Sequence, residues 1–163
     1  MELLLMRHAK SDWGQGGSDF DRPLNERGEE SAEKMGRLLR TEGVLPTKIL
    51  CSTAARARGT AEGLIDEAEY EGEVFYSDQL YLCDISDFMM VIKKYGDEHE
   101  RLMVIAHNPG TEALIYHLTG EDKRVTTANI AQIELPSVTA WKDVDITTKG
   151  TLKAFWRPRD PQF

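Results

Sequence analysis

The chain has 163 residues, and we expect residues 1–163 to form one domain with its own hydrophobic core. Its 20 basic and 28 acidic residues give a formal net charge of −8, which argues against nucleic-acid partners but allows a small basic pocket. No signal peptide or membrane-spanning run is visible, and the two cysteines are too few for a disulfide framework. We therefore predict a cytoplasmic protein without a membrane partner.

The first pattern in the chain is a run of large apolar residues, Leu3 to Met6, that ends abruptly at Arg7 and His8. Such a run predicts a buried central strand. In open α/β sheets ligands bind at the carboxyl ends of the strands. Arginine suits phosphate, and imidazole can act as nucleophile, base or metal ligand. We therefore consider an oxyanion site, with a strand end that simply emerges into solvent as the alternative.

A polar, glycine-rich loop is predicted from residue 9 to residue 23. Its segment from Gly14 to Gly17 is expected at the mouth of the site. Arg22 could reach the phosphate from this loop, but a salt bridge with Asp19 or Asp21 is an equally good interpretation.

A helix and a short strand are expected next. Asn25 can cap the helix, whose apolar face continues until Gly43 stops it. Residues 48–51 then have the composition of a strand.

A second helix is predicted over residues 53–66, with Ser52 or Thr53 as its cap. Arg56 and Arg58 lie one turn into it. Because they are two residues apart, one can point over the strand ends while the other faces water.

The middle of the chain continues the alternation of strands and helices. A strand at 73–76 and an irregular passage at 80–84 precede a helix with an apolar face from Phe88 to Tyr95. Residues 102–106 form the second strongly apolar strand, which ends at His107.

The final third is predicted to contain a short helix after the turn at 108–110, followed by strands at 133–135, 138–141 and 151–156. The tail at 157–161 contains two prolines and cannot continue a strand ladder. The pattern predicts an α/β fold, a three-layer α/β/α sandwich with a mostly parallel central sheet closed by C-terminal antiparallel strands.

Polar side chains therefore follow the carboxyl ends of three predicted strands. Arg7 and His8 follow the first strand, Arg56 or Arg58 follows the strand at 48–51, and His107 follows the strand at 102–106. If the strands are neighbours, two guanidinium groups and two imidazoles converge on one pocket. Each of these elements alone is weak evidence for a site. The combination is stronger evidence, because two apolar strands that both end in histidine beside a helix start with arginine are much less expected by chance.

Four segments then resemble the histidine phosphatase (phosphoglycerate-mutase-like) superfamily, in the family's order: Met6–Ser11, Arg22–Gly28, Ser52–Glu62 and Ala106–Gly110. The chain is short and has no long insertion between Glu62 and Leu102. In this it is similar to the SixA-like phosphohistidine phosphatase branch.

The resemblance implies roles for four residues. His8 would be the nucleophile that becomes phosphorylated, and Arg7, Arg56 and His107 would hold the phosphate. The family pattern of arginine-alanine-any-any-threonine selects Arg56 and leaves Arg58 in solvent.

We further expect Arg22, Asp84 and Asn108 to contribute to substrate binding. Larger members of the superfamily carry a glutamate general acid in an insertion that this chain lacks. Asp84 lies roughly where such a group could approach, although a helix cap is the better interpretation. A zinc site on His8 and His107 would need partners with no convincing placement, so no metal or cofactor is predicted.

The resulting functional prediction is a metal-independent phosphatase that forms a phosphohistidine intermediate and takes phosphohistidine on a protein as its substrate. A non-catalytic phosphate- or phosphopeptide-binding module and a small-molecule phosphomonoesterase acting on a small phosphate ester remain the alternatives. We expect an open groove with no obvious basic residues for a second phosphate, and a monomeric protein.

Overall fold

The computed structural model describes residues 1–14 and 16–160, and in this part of the chain six strands form one sheet between two helical layers. Strands β1 to β6 span Glu2–Arg7, Lys48–Ser52, Glu73–Ser77, Arg101–Ala106, Ile130–Glu134 and Thr151–Trp156. Helices α1 to α4 span Glu26–Thr41, Ala55–Ala68, Ile85–Tyr95 and Gly110–Thr119. Two short 3-10 helices lie at Asp78–Leu80 and Trp141–Asp143.

The strand order is β3-β2-β4-β1-β5-β6. Strands β3, β2, β4 and β1 are parallel, and β5 runs antiparallel to both of its neighbours. The predicted fold class, a mostly parallel sheet with antiparallel pairing at its C-terminal end, is confirmed. Because β1 pairs directly with β4, Arg7 lies opposite Ala106 and the two histidines leave the sheet side by side.

Helices cover both faces of the sheet, which explains why β1 is apolar without alternation. Leu4 and Met6 belong to the core on the side of α1 and α2. Leu3 and Leu5 belong to the core on the side of α3 and α4. Burying each of these side chains contributes about 1.5–3 kcal/mol, so both layers anchor the strand that carries His8.

The start of α1 is fixed against the segment that follows His8. The Asn25 side chain accepts a hydrogen bond from the Gly28 N–H at 2.9 Å, which confirms the predicted cap. A Cβ atom at Gly28 would lie only 2.0 Å from the Lys10 carbonyl oxygen. Only glycine permits this approach, so a side chain here would push the helix away from the active-site loop.

The predicted cap of α2 is wrong. The helix begins after Ala54, and neither Ser52 nor Thr53 caps it with its side chain. The Ser52 hydroxyl lies against His107 and the Thr53 hydroxyl donates to Asp78, so both side chains are engaged in contacts between elements.

The predicted strand at 138–141 is also wrong. Pro136 follows β5 and has no N–H for a ladder, and the Val138 N–H closes a turn to the Leu135 carbonyl at 3.1 Å. Val138 and Trp141 are buried, but they pack as parts of a turn and a 3-10 helix. The preceding strand starts at Ile130, three residues earlier than predicted.

Residues 157–161 are predicted not to continue a strand ladder, and the described part of this tail, residues 157–160, is a turn in which the Arg157 N–H donates to the Asp160 carboxylate at 2.9 Å. Pro161 lies outside the described residues. No helix in residues 1–14 and 16–160 is long and apolar enough to cross a membrane.

Candidate active site

The carboxyl ends of three adjacent strands, β1, β4 and β2, bring His8, His107 and Arg56 together. The ring centroids of His8 and His107 are 5.0 Å apart, with the ring planes inclined by 50°. The Arg56 Nε atom lies 3.2 Å from the His8 Nε2 atom. These three side chains are 6%, 2% and 2% exposed for His8, His107 and Arg56, so the cluster is almost closed to solvent.

The contacts of His8 define its tautomer. Its Nδ1 atom lies 2.8 Å from the Ala9 carbonyl oxygen, which can only accept a hydrogen bond, so Nδ1 carries the proton. The Nε2 atom is then unprotonated and accepts a hydrogen bond from Arg56. The structure therefore presents a neutral imidazole whose free lone pair points at a guanidinium group.

Burial keeps both histidines neutral. Desolvation lowers the pKa of His8 to about 3, and the positive charge of Arg56 nearby adds to this effect. Burial, with the charge of Arg56 second, also lowers the pKa of His107 to about 3. The hydrogen bond from His8 to the Ala9 carbonyl acts in the opposite direction but is outweighed.

These shifts predict that stability is lost on acidification. Below the ordinary histidine pKa of 6.5, the unfolded chain binds a proton at each site, and the folded chain does not until about pH 3. Each histidine should therefore lower the free energy of unfolding by about 1.4 kcal/mol per pH unit in this window. Urea denaturation between about pH 6 and pH 4 should show a shallower pH slope for His8→Gln and His107→Gln than for the unsubstituted protein. Identical slopes in all three proteins would contradict buried neutral histidines.

Arg56 and Arg58 differ as their spacing predicted. Arg56 Nη1 and Nη2 donate to the Asp19 carbonyl and carboxylate oxygens at 2.6 and 3.0 Å, while its Nε faces His8. Arg58 is exposed, donates to the Thr53 carbonyl and lies over the ring of Tyr76. The structure thus brings Arg56 to the pocket and leaves Arg58 outside it.

Arg7 and Asn108 meet at one backbone carbonyl. Arg7 Nη1 and Asn108 Nδ2 each donate to the Val125 carbonyl oxygen at 2.9 Å. Glu112 accepts from both Asn108 Nδ2 and the Val125 N–H, so its carboxylate holds this segment in place. In this arrangement Asn108 positions the segment that Arg7 contacts. Sequence reasoning missed Glu112, which has no local signal.

A further carboxylate, Asp19, joins the two arginines at the mouth. Asp19 accepts from Arg22 at 2.8 Å, from Arg56 at 3.0 Å and from the Tyr81 hydroxyl at 2.6 Å. The hydrogen bond from Arg22, followed by that from Tyr81, holds the pKa of Asp19 well below its usual range. Of the two interpretations of Arg22, the structure shows the salt bridge with Asp19.

Tyr81 completes the wall beside His107. Its ring meets the His107 ring edge-on, with centroids 5.4 Å apart, and meets Phe20 in the same manner. Neither Asp19 nor Tyr81 was recognised as a site residue from the sequence.

His107 has one engaged and one free ring nitrogen. Its Nε2 atom lies 2.7 Å from the Ser52 hydroxyl, and among the described residues its buried Nδ1 atom has no hydrogen-bond partner. The Ser52 oxygen already accepts from the Ala54 N–H, so its own proton is available for His107 Nε2. That arrangement leaves Nδ1 protonated and able to donate to an anion.

Asp84 caps α3. Its carboxylate accepts from the Asp87 N–H at 3.0 Å in a reciprocal capping box, which confirms the predicted cap, while a contact of Asp84 with substrate stays a prediction. Within the residues that the structure describes, no three His, Cys, Asp or Glu side chains are grouped to hold a metal ion.

The predicted loop from Gly14 to Gly17 at the mouth of the site includes Gln15, which lies outside the residues that the structure describes.

The structure corrects the expectation that there are no obvious basic residues for a second phosphate. A groove of about 640 Å³ adjoins Arg7, and six cationic side chains line it: Arg7, Lys10, Arg27, Lys34, Arg157 and Arg159. These residues come from separate parts of the chain, so no local cluster of basic residues in the sequence predicts the groove.

Comparisons with known proteins identify the family of the chain. The family model of the histidine phosphatase superfamily (branch 1) matches residues 3–89. An uncharacterised protein of Mycobacterium leprae is 34% identical over 136 residues, which cover 81% of this chain and 82% of that protein. The segment matched by the family model, residues 3–89, includes nearly all of β1 and the arginine-bearing helix α2.

Two solved structures cover nearly the whole chain. The putative phosphohistidine phosphatase SixA from Agrobacterium tumefaciens superposes with a TM-score of 0.80 and 28% identity, over 96% of this chain and 97% of that one. The protein histidine phosphatase SixA complexed with tungstate gives a TM-score of 0.81 and 25% identity, over 97% of each chain. These matches cover the strand that ends at His8 and the helix that carries Arg56. The chain belongs to the histidine phosphatase superfamily, branch 1.

Proposed function

We propose that this protein is a metal-independent phosphatase that hydrolyses protein phosphohistidine through a covalent phosphohistidine intermediate on His8. The observation that carries the proposal is the unprotonated Nε2 atom of His8, held beside Arg56 in a buried pocket. Membership in the superfamily supports a phosphatase acting through a histidine. The structural likeness to SixA proteins supports the choice of substrate.

In the first step the lone pair of His8 Nε2 attacks phosphorus, and the phosphorus–nitrogen bond of the substrate breaks. The substrate imidazole leaves with the electron pair and is protonated by solvent. In the second step the oxygen of a water molecule attacks phosphorus, which releases inorganic phosphate and restores His8. This two-step hydrolysis requires a neutral imidazole as the nucleophile. The hydrogen bond to the Ala9 carbonyl keeps the proton of His8 on Nδ1, and burial keeps the ring uncharged.

Three fixed donors surround the position of the transferred phosphoryl group. Phosphorylation of Nε2 would displace the Arg56 Nε contact and leave that guanidinium beside the phosphoryl oxygens. The positive charge of Arg7 lies near enough to contribute to the lowered pKa of His8, and His107 Nδ1–H is available as a third donor. Fixed donors of this kind stabilise the charge that spreads over the phosphoryl oxygens.

The carboxylates near the site are poorly suited to general acid catalysis. Asp19 is held ionised by Arg22 and Arg56, and Asp84 is engaged in capping α3. Because neither of these carboxylates is available as a proton donor, the site favours a bond whose leaving group departs readily. The phosphoramidate bond of phosphohistidine meets this condition better than a phosphate monoester does.

Both thiols fit a reducing compartment, and we place the protein in the cytoplasm. Cys51 and Cys83 are free and buried, and burial raises the pKa of Cys83 to about 12. Neither is placed to act as a nucleophile.

The substrate preference can be measured directly. We expect kcat/KM for a phosphohistidine peptide to exceed that for phosphoserine or phosphothreonine peptides and for sugar phosphates by at least about tenfold, because the leaving imidazole needs no strong acid. Parallel assays of these substrates at equal protein concentration measure the ratio of the kcat/KM values. A preference for a small phosphate ester would reject the substrate while leaving His8 catalysis intact. Phosphate binding without turnover of any substrate would indicate a non-catalytic binding module.

A further inference from the structure

The groove beside Arg7 is basic, although the protein as a whole is acidic. Arg7, Lys10, Arg27, Lys34, Arg157 and Arg159 line it, together with two carboxylates, Glu30 and Asp160. The local balance is thus six cations against two acids, whereas the whole chain carries a formal charge of −8. Such a reversal of sign concentrates anions at one place on the surface.

The groove cations differ from other cationic side chains of the protein in their pairing. Across residues 1–14 and 16–160, none of the six forms a salt bridge with a carboxylate. Elsewhere on α1, by contrast, Arg37 and Arg40 pair with Glu67 and Glu69. Arg27 and Lys34 lie seven residues apart on the same helix, so they present two charges along one face toward the groove.

Arg7 joins the groove to the phosphate pocket. It is the last residue of β1, directly before His8, and it is also one of the groove-lining residues. Its Nη1 atom contacts the Val125 carbonyl, while its buried Nε atom has no partner among the described residues. An anionic group in the groove would therefore lie next to a phosphoryl group bound at His8.

We propose that the groove binds an acidic segment of the substrate protein that flanks the phosphorylated histidine. The hydroxyls of Ser31, Thr126 and Thr127 also line the groove and can donate to carboxylates. Among the described residues that line the groove none is aromatic, so these residues offer nucleic-acid bases no stacking surface. The inference rests on the proposed function for its substrate and adds the chemistry by which that substrate is recognised.

Binding of an unphosphorylated peptide tests the groove independently of catalysis. A fluorescent peptide with Asp and Glu around a histidine should bind the full-length protein, and a peptide with Gln and Asn at those positions should bind at least about tenfold more weakly. The double variant Arg27→Gln with Lys34→Gln should raise the Kd of the acidic peptide at least about tenfold. The matched control, Arg37→Gln with Arg40→Gln, removes two charges from the same helix outside the groove and should change the Kd less than about twofold.

The same variants separate recognition from chemistry. With an acidic phosphohistidine peptide, the Arg27 and Lys34 substitutions should raise KM by a similar factor and leave kcat unchanged. With phosphoramidate itself they should have no effect on kcat/KM. Equal peptide binding by both double variants would overturn the proposal, as would groove-dependent binding of single-stranded RNA or a sugar bisphosphate in preference to the acidic peptide. If peptide binding follows this pattern but no phosphohistidine is hydrolysed, the proposed function fails and the acidic-segment site stands.

Discussion

Replacement of His8 by alanine is expected to lower kcat for every phosphorylated substrate by at least about a thousandfold, because it removes the atom proposed to form the intermediate. The Nε2 lone pair of His8 faces Arg56, and the neighbouring ring of His107 is committed to Ser52 through its own Nε2. No second imidazole in the described pocket can therefore take over attack on phosphorus without rearrangement.

The loss should be specific to chemistry. His8→Ala leaves Arg7, Arg56 and His107 in the pocket, so the variant should still bind phosphate or vanadate with a Kd within about tenfold of that of the unsubstituted protein. Equilibrium dialysis or calorimetry measures this binding, and circular dichroism verifies the fold. A variant that keeps a tenth of the original activity would show that His8 is not the nucleophile.

Arg56→Lys is expected to lower kcat/KM at least about tenfold, which corresponds to about 1.4 kcal/mol at the transition state. Arg56 uses three nitrogen atoms at once, on His8 and on two oxygens of Asp19, and a single ammonium group cannot reproduce that geometry. Arg7→Lys should cause a loss of similar size, since its guanidinium spans the Val125 carbonyl and the edge of the groove.

Arg58→Lys is the matched control, because Arg58 lies on the same helix turn but is exposed. It should change kcat/KM less than about twofold. The comparison uses steady-state kinetics with one phosphohistidine substrate, and melting temperatures exclude a loss of folding. Sensitivity at Arg58 together with tolerance at Arg56 would contradict the assignment of these two side chains.

Much of the fold was predictable because its signals are local. The apolar run of β1 is buried between two helical layers, and its carboxyl end delivers His8 to the same edge as His107. The two-residue spacing of Arg56 and Arg58 required that they face different directions, and the helical phase places Arg56 inward. Periodicity and strand-end position sufficed for these features.

What the sequence concealed depends on contacts between distant segments. Asp19 meets Arg56 from 37 residues away and Tyr81 from 62 residues away, and it lies in a polar loop without periodicity. The basic groove likewise combines a loop, a helix and the tail. Serine is a favoured N-cap residue, so the sequence predicts Ser52 as a helix cap. In the structure the Ser52 hydroxyl contacts His107 instead.

The covalent step is the central claim, and trapping the phosphoenzyme tests it most directly. The protein is incubated with phosphoramidate, quenched in alkali and digested, and the phosphorylated peptide is sequenced by mass spectrometry. We expect phosphate on His8, stable to base and labile to acid, and none on the His8→Ala variant. Phosphate that survives acid on Ser52 or Thr53, or turnover with an unmodified His8 throughout, would contradict the mechanism.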